Sequence, residues 1–138
     1  MSTPWVIDAS IAVSWAHPDQ STQESERVFA ELASGATISV PPLWFVESAN
    51  CLLILQRRKK MTAADRKAAL NMLGNLPLEI DYVSPRAAFE EVSVLAEKHL
   101  LTVYDATYLE LALRKNLALA TRDEQLRIAA KRCGVAVL

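Results

Sequence analysis

The sequence is poor in the residues on which several common binding chemistries depend. It has three glycines, Gly35, Gly74 and Gly134, and each falls where a helix should end. None can belong to a phosphate-cradling loop such as G-x-G-x-x-G or Walker A, which disfavours nucleotide binding of those kinds. The two histidines, His17 and His99, form no cluster, and neither cysteine has a neighbour at metal-ligand spacing, so a zinc site is disfavoured. Cys51 and Cys133 lie far apart in segments that read as helical, and both are expected to be small buried hydrophobes in a reducing environment. Neither sign of charge is in excess: 15 basic and 16 acidic residues leave a net charge of -1. A polyanion would therefore have to be held by a local patch, not by the field of the whole molecule. Met1-Ser2-Thr3-Pro4 lacks a basic n-region, and the most apolar later run is broken by Glu47 and Asn50 well short of about 20 residues. The expectation is a soluble cytoplasmic protein without a membrane partner.

What is present, in 138 residues that suit a single domain over 1–138, is an alternation of apolar runs with helical patterns. Apolar runs near 5–8, 37–40, 102–104, 117–120 and 135–138 read as buried strands. Residues 78–83 alternate apolar with acidic side chains in period two, as expected of an edge strand with one wet face. Between them, Ser21 with Glu24 has capping-box spacing and opens a helix that ends at Gly35. No breaker interrupts residues 43–60, and Thr62 with Asp65 caps another helix running to Gly74. Ser84-Pro85 starts a helix toward His99, and two more helices occupy 106–115 and 123–133. This order implies an α/β fold: a three-layer α/β/α domain around a mostly parallel sheet.

Three apolar runs deliver an acid at or just past their ends: Asp8, Asp105 and Asp123. If those strands are parallel, the acids meet at the carboxyl edge, where open α/β sheets bind ligands. Taken singly, each has a plainer use, because Asp caps helix N-termini and suits a first helical turn. Glu47 is harder to explain that way. At three and four residues it has Leu43, Trp44, Asn50 and Cys51 for neighbours, where Asn50 can orient it but no cation can pair with it. Arg57 and Arg58 are too far along the helix. Carboxylates brought together at 4 Å repel by about 4 kcal/mol per pair at an effective dielectric of 20. Such a cluster takes up protons or a divalent metal, and with only oxygen donors the metal is Mg²⁺ or Mn²⁺. That set suits phosphodiester hydrolysis, with Ser10 and Thr121 orienting the ligands or waters.

Val6-Ile7-Asp8-Ala9-Ser10, Glu47-Ser48-Ala49-Asn50, Tyr104-Asp105-Ala106-Thr107-Tyr108-Leu109 and Ala120-Thr121-Arg122-Asp123 resemble the successive motifs of PIN-domain ribonucleases. The chain is similar, within that family, to VapC-type toxins of bacterial toxin-antitoxin pairs. The resemblance implies a PIN-like sheet of strand order 3-2-1-4-5, and a Mg²⁺-dependent endoribonuclease that inhibits translation by cutting transfer or ribosomal RNA. It implies that Asp8, Glu47, Asp105 and Asp123 are the catalytic, metal-binding acids, and that a homodimer is neutralised by a VapB-type antitoxin. For RNA phosphates the candidates are Arg122, inside the last motif, and Arg57 and Arg58 in the dense basic run 57–60. That run equally suits a helix C-terminus. Trp15, Trp44, Phe45 and Tyr108 are stacking or partner-binding candidates, with core packing as the default. Two alternatives stand beside this reading. A catalytically inert PIN-like protein-binding module would have lost one of the acids, and none is lost. An aspartate-dependent phosphatase would want a second Asp at position 10, where the chain has Ser10.

Overall fold

In the computed structural model, which describes residues 4–138, the sheet among the described residues has four strands, all parallel. They are β1 (Trp5–Ile7), β2 (Ile38–Val40), β3 (Glu79–Ile80) and β4 (Ala118–Ala120), in the order β3-β2-β1-β4. Val6, Ile7, Ile38, Val40 and Leu119 are fully buried, as a sheet covered on both faces requires. The covering elements are α1 (Ala9–Ala16), α2 (Gln23–Ala33), α3 (Leu43–Arg57), α4 (Ala63–Gly74), α5 (Glu91–His99), α6 (Val103–Lys115) and α7 (Glu124–Arg132). The Asp8 strand is central, and the alternating strand lies at an edge, as the sequence pattern implies. Among the described residues no helix is long and apolar enough to cross a membrane.

The connections decide which ends face the ligand edge. A helix that directly follows a parallel strand starts at the carboxyl edge of the sheet. So α1, α3 and α7 start there, and Asp105 in the first turn of α6 is near enough to Asp8 to repel it.

Several expectations are corrected. Residues 102–104 do not form a strand: Thr102 caps α6, its hydroxyl accepting the Asp105 N–H at 3.0 Å. The T-x-x-D spacing outweighs three residues of strand propensity because it satisfies free N–H groups and lets Ala106, Leu109 and Ala112 face the core. The fifth strand reduces to one isolated parallel bridge between Leu119 and Val137, so the sheet order is 3-2-1-4 with a single residue in the fifth place. The capping box of α2 is one residue later than Ser21 and Glu24 suggest, formed reciprocally by Thr22 and Ser25. After Ser84, residues Pro85–Phe89 make a 3-10 turn, and α5 proper begins at Glu91. Cys51 and Cys133 are each half-buried, and Cys133 Sγ lies 3.3 Å from His99 Nε2, a pairing across space that their separation in sequence hides.

One ion-pair cluster ties the β3 edge to α6. Asp81, just beyond β3, is almost buried and accepts from Arg114, with Lys115 Nζ 3.4 Å away. Burial alone would raise this carboxyl, but the guanidinium of Arg114 and the ammonium of Lys115 outweigh it and hold it below its ordinary value. Arg114→Ala should destabilise the fold by about 2 kcal/mol in urea denaturation, less than for a fully buried pair because Arg114 is partly exposed and Lys115 remains. A lowered carboxyl stabilises only while ionised, so this difference should shrink as the pH falls below about 3.8.

Candidate active site

Asp8 follows the last residue of β1 and caps α1, with its side chain accepting the Ser10 N–H at 3.1 Å. It is 5% exposed, and hydroxyls hold both of its oxygens. Ser10 Oγ donates to Oδ1 and Thr121 Oγ1 donates to Oδ2. The same hydroxyls accept backbone N–H groups of the β4–α7 connection, Ser10 from Arg122 and Thr121 from Asp123, each at 2.9 Å. Ser10 and Thr121 therefore fasten two adjacent strand ends to one carboxylate. Thr121→Val should weaken divalent-metal binding by about 10- to 100-fold, as loss of a ligand's supporting hydrogen bond does, checked by Mn²⁺ titration.

Asp123 caps α7, accepting the Leu126 N–H at 2.9 Å, and is exposed to solvent. Asp105 stands in the first turn of α6, half-buried. A helix terminus, not a strand end, brings it to the edge. Glu47, in the second turn of α3, accepts at Oε1 from the Tyr108 hydroxyl at 2.6 Å. Asn50 lies exposed on α3 and makes no hydrogen bond to Glu47 among those present in the described residues.

Electrostatic repulsion couples Asp105 to Asp8, to Asp123 and to Glu47. Burial pushes the Asp8 carboxyl up to about 6 despite its hydroxyl donors, and Asp105 adds repulsion. Burial likewise raises Asp105, followed by repulsion from Asp123 and from Glu47. The Cys51 thiol is pushed up by burial, then by Glu47 and Asp8. Among the described residues no lysine, arginine or histidine makes an ion pair with any of the four. Nor does any group of three or more His, Cys, Asp or Glu side chains there stand at spacing to enclose a metal ion. The donor type and the uncompensated charge fit a hard divalent cation. An ion held there would need waters to complete its shell.

The remaining candidates lie elsewhere. Arg57 is ten residues beyond Glu47 on α3, about 15 Å along the axis toward the opposite edge of the sheet, and Arg58 caps that end. Both are exposed. Arg122 Nη1 donates to the backbone oxygen and Oε1 of Gln20, at 3.0 and 2.9 Å, which leaves Nε and Nη2 without an acceptor among the described residues. Trp44 and the Tyr108 ring are fully buried, so neither offers a stacking surface. Trp15 stacks edge-on against Phe29, and Phe45 is partly exposed. The Tyr108 hydroxyl is the site feature that sequence reasoning missed, although Tyr108 lies three residues from Asp105 on one helix face.

The structure is similar to PAE2754 from Pyrobaculum aerophilum, at 22% identity and a TM-score of 0.75 over 99% of this chain and 90% of that one. It is similar to VapBC2 from Rickettsia felis, determined bound to a DNA fragment from their promoter, at 17% identity and TM-score 0.66 over 99% and 98% of the two chains. VapC20 from Mycobacterium tuberculosis, described as a Sarcin-Ricin loop cleaving toxin, matches at 14% identity and TM-score 0.64 over 91% and 94%. No curated protein sequence matches. At these identities the structural likenesses establish the fold. A PIN domain profile, in contrast, matches residues 5–132, the whole run from β1 through α7, and the chain belongs to the PIN domain family.

Proposed function

We propose that the protein is a Mg²⁺- or Mn²⁺-dependent endoribonuclease, the toxin of a toxin-antitoxin pair, which inhibits translation by cutting transfer or ribosomal RNA. The observation that carries this reading is the neighbourhood of Asp8, Glu47, Asp105 and Asp123, four acids at the ligand edge of a PIN fold with no cationic partner among the described residues. A divalent ion held by these carboxylates would supply charge stabilisation and an acidified water for in-line attack on phosphorus. Asp8, clamped by Ser10 and Thr121, is the rigid anchor of the set. Asp105, half-buried in the first turn of α6, would be a direct ligand of that ion. Arg122, anchored through Nη1, keeps two donor nitrogens for a substrate phosphate.

VapC20, the structural relative described as a Sarcin-Ricin loop cleaving toxin, supports the nuclease toxin reading. A cognate VapB-type antitoxin and a homodimer complete it. An open, mainly apolar groove lined by Val83, Ala87, Val94, Leu95 and Leu113 offers a surface for a protein partner. The open spacing of the acids is the one observation that favours the inert binding module instead.

Incubation with total RNA in Mg²⁺ separates the two readings. Discrete cleavage products should appear, and Asp105→Asn should reduce their rate by at least about 100-fold, since loss of a direct ligand exceeds the 10- to 100-fold typical of a supporting one. Undiminished cleavage by Asp105→Asn would remove these acids from the chemistry.

A further inference from the structure

Tyr108 sits on α6 one turn beyond Asp105, with its ring fully buried in the core and its hydroxyl 2.6 Å from Glu47 Oε1, on a helix 61 residues away in sequence. α3 packs chiefly on α1 and α4, whereas α6 packs on α5, α7, β1 and β4. The side-chain bond is what links Glu47 to the helix that carries Asp105. Without it, a half-exposed glutamate with three free torsions would spread over rotamers directed to solvent.

The chemistry of the donor is as telling as its position. A lysine or arginine in place of Tyr108 would orient Glu47 and neutralise it at once, and would then compete with any cation for the carboxylate. A phenol hydroxyl orients without neutralising. A tyrosine hydroxyl ordinarily ionises only at about pH 10, so at neutral pH it is a donor. Glu47 is thus held on a fixed axis, and no donor contacts its Oε2 among the described residues.

We infer that Tyr108 is a positioning residue for the carboxylate centre, its hydroxyl holding Glu47 in the orientation that binds divalent metal beside Asp105. This rests on the reading of the four acids as a metal-dependent nuclease centre. Tyr108 touches neither substrate nor metal; it acts through Glu47.

The test is a set of Mn²⁺ titrations by calorimetry on the wild type, Tyr108→Phe, Glu47→Gln and the double variant, with the melting temperature of each as a check on folding. Tyr108→Phe keeps the ring and removes only the donor. It should weaken Mn²⁺ binding by about 10- to 100-fold, the usual cost of losing a ligand's orienting partner. Glu47→Gln should weaken it at least as much. Adding Tyr108→Phe to Glu47→Gln should cost nothing further, because a residue acting through Glu47 has nothing to act on once the carboxylate is gone. A purely structural hydroxyl would lower the melting temperature and leave Mn²⁺ affinity unchanged. If Tyr108→Phe fails to fold, Glu47→Asp asks the same question with the tyrosine intact, since the shorter carboxylate falls out of reach of the hydroxyl while keeping its charge. It should weaken binding as Tyr108→Phe does. Wild-type affinity in Tyr108→Phe or Glu47→Asp, or a full additional loss in the double variant, overturns the inference while leaving the metal centre standing. Absence of Mn²⁺ binding by the wild type overturns the metal centre and this inference together.

Discussion

Asp8→Asn should abolish RNA cleavage, by more than about 1,000-fold if loss of a supporting partner already costs 10- to 100-fold, and should make the metal-free protein more stable at pH 7.5. The two effects have one cause. Asp8 is 5% exposed and its carboxyl is pushed up to about 6, first by burial, from an ordinary 3.8. A shift of that size means that ionised Asp8 costs the metal-free fold about 3 kcal/mol at neutral pH, at 1.36 kcal/mol per unit. The hydrogen bonds from Ser10 and Thr121 reduce the cost without cancelling it. Asparagine has nearly the same shape and no charge, so the variant should gain roughly 1–3 kcal/mol in urea denaturation at pH 7.5. The sign of the pH dependence follows. A carboxyl whose folded value exceeds its unfolded value contributes stability that is complete below about 3.8 and is lost as the pH rises through about 6. The advantage of Asp8→Asn should therefore fade between pH 6 and pH 4. A variant less stable than the wild type at pH 7.5 would show that Asp8 is a structural cap first and a destabilised functional acid second.

Removal of divalent metal should have the second largest effect. With Mn²⁺ at about 100 times its dissociation constant, the folded state gains about 2.7 kcal/mol. For a chain of this size that raises the melting temperature by roughly 8–10 °C. A chelator should reverse the rise and stop cleavage together. The gain should be much smaller at pH 5, where Asp8 is largely protonated and the raised Asp105 binds protons more firmly than an ordinary aspartate. Thermal melts at pH 7.5 and pH 5.0, with and without chelator, measure this directly. Equal shifts at both pH values would place the bound ion away from the buried carboxylates.

Both expectations depend on four acids reaching one edge, and the sequence pattern shows part of the route while misreading another part. β1 and β4 are continuous apolar runs that end on Asp8 and, through Thr121, on Asp123, a pattern that survives folding because both strands are covered on both faces. The edge position of β3 was legible for the opposite reason, its alternation of Glu79 and Asp81 with apolar residues. Thr102 shows where local reading fails. Thr62-x-x-Asp65 and Thr102-x-x-Asp105 have the same spacing and make the same 3.0 Å cap bond, yet Val103 and Tyr104 give the second an apolar, strand-like look. In the folded chain both are exposed, and Tyr108, Leu109 and Ala112 take the core instead. The helical period over ten residues outweighs β propensity over three.

What the sequence could not show is contact between distant segments. The partner of Glu47 is Tyr108, and the partners of Asp8 include Thr121, 113 residues on. Spacing along one helix identifies only neighbours on that helix, so Asn50 looks like the natural support for Glu47 and is not. The topology does separate the basic run from the acids. Because α3 leaves the carboxyl edge, Arg57 and Arg58 must end up at the other.

The central claim is that Asp8, Glu47, Asp105 and Asp123 form one metal-binding centre, and calorimetric titration of Mn²⁺ into the wild type and Asp105→Asn tests it most directly, without needing the right RNA. Saturable binding by the wild type that weakens at least about tenfold in Asp105→Asn is the predicted result. Equal binding by both proteins, or none by either, would contradict it and return the three aspartates to their helix N-termini.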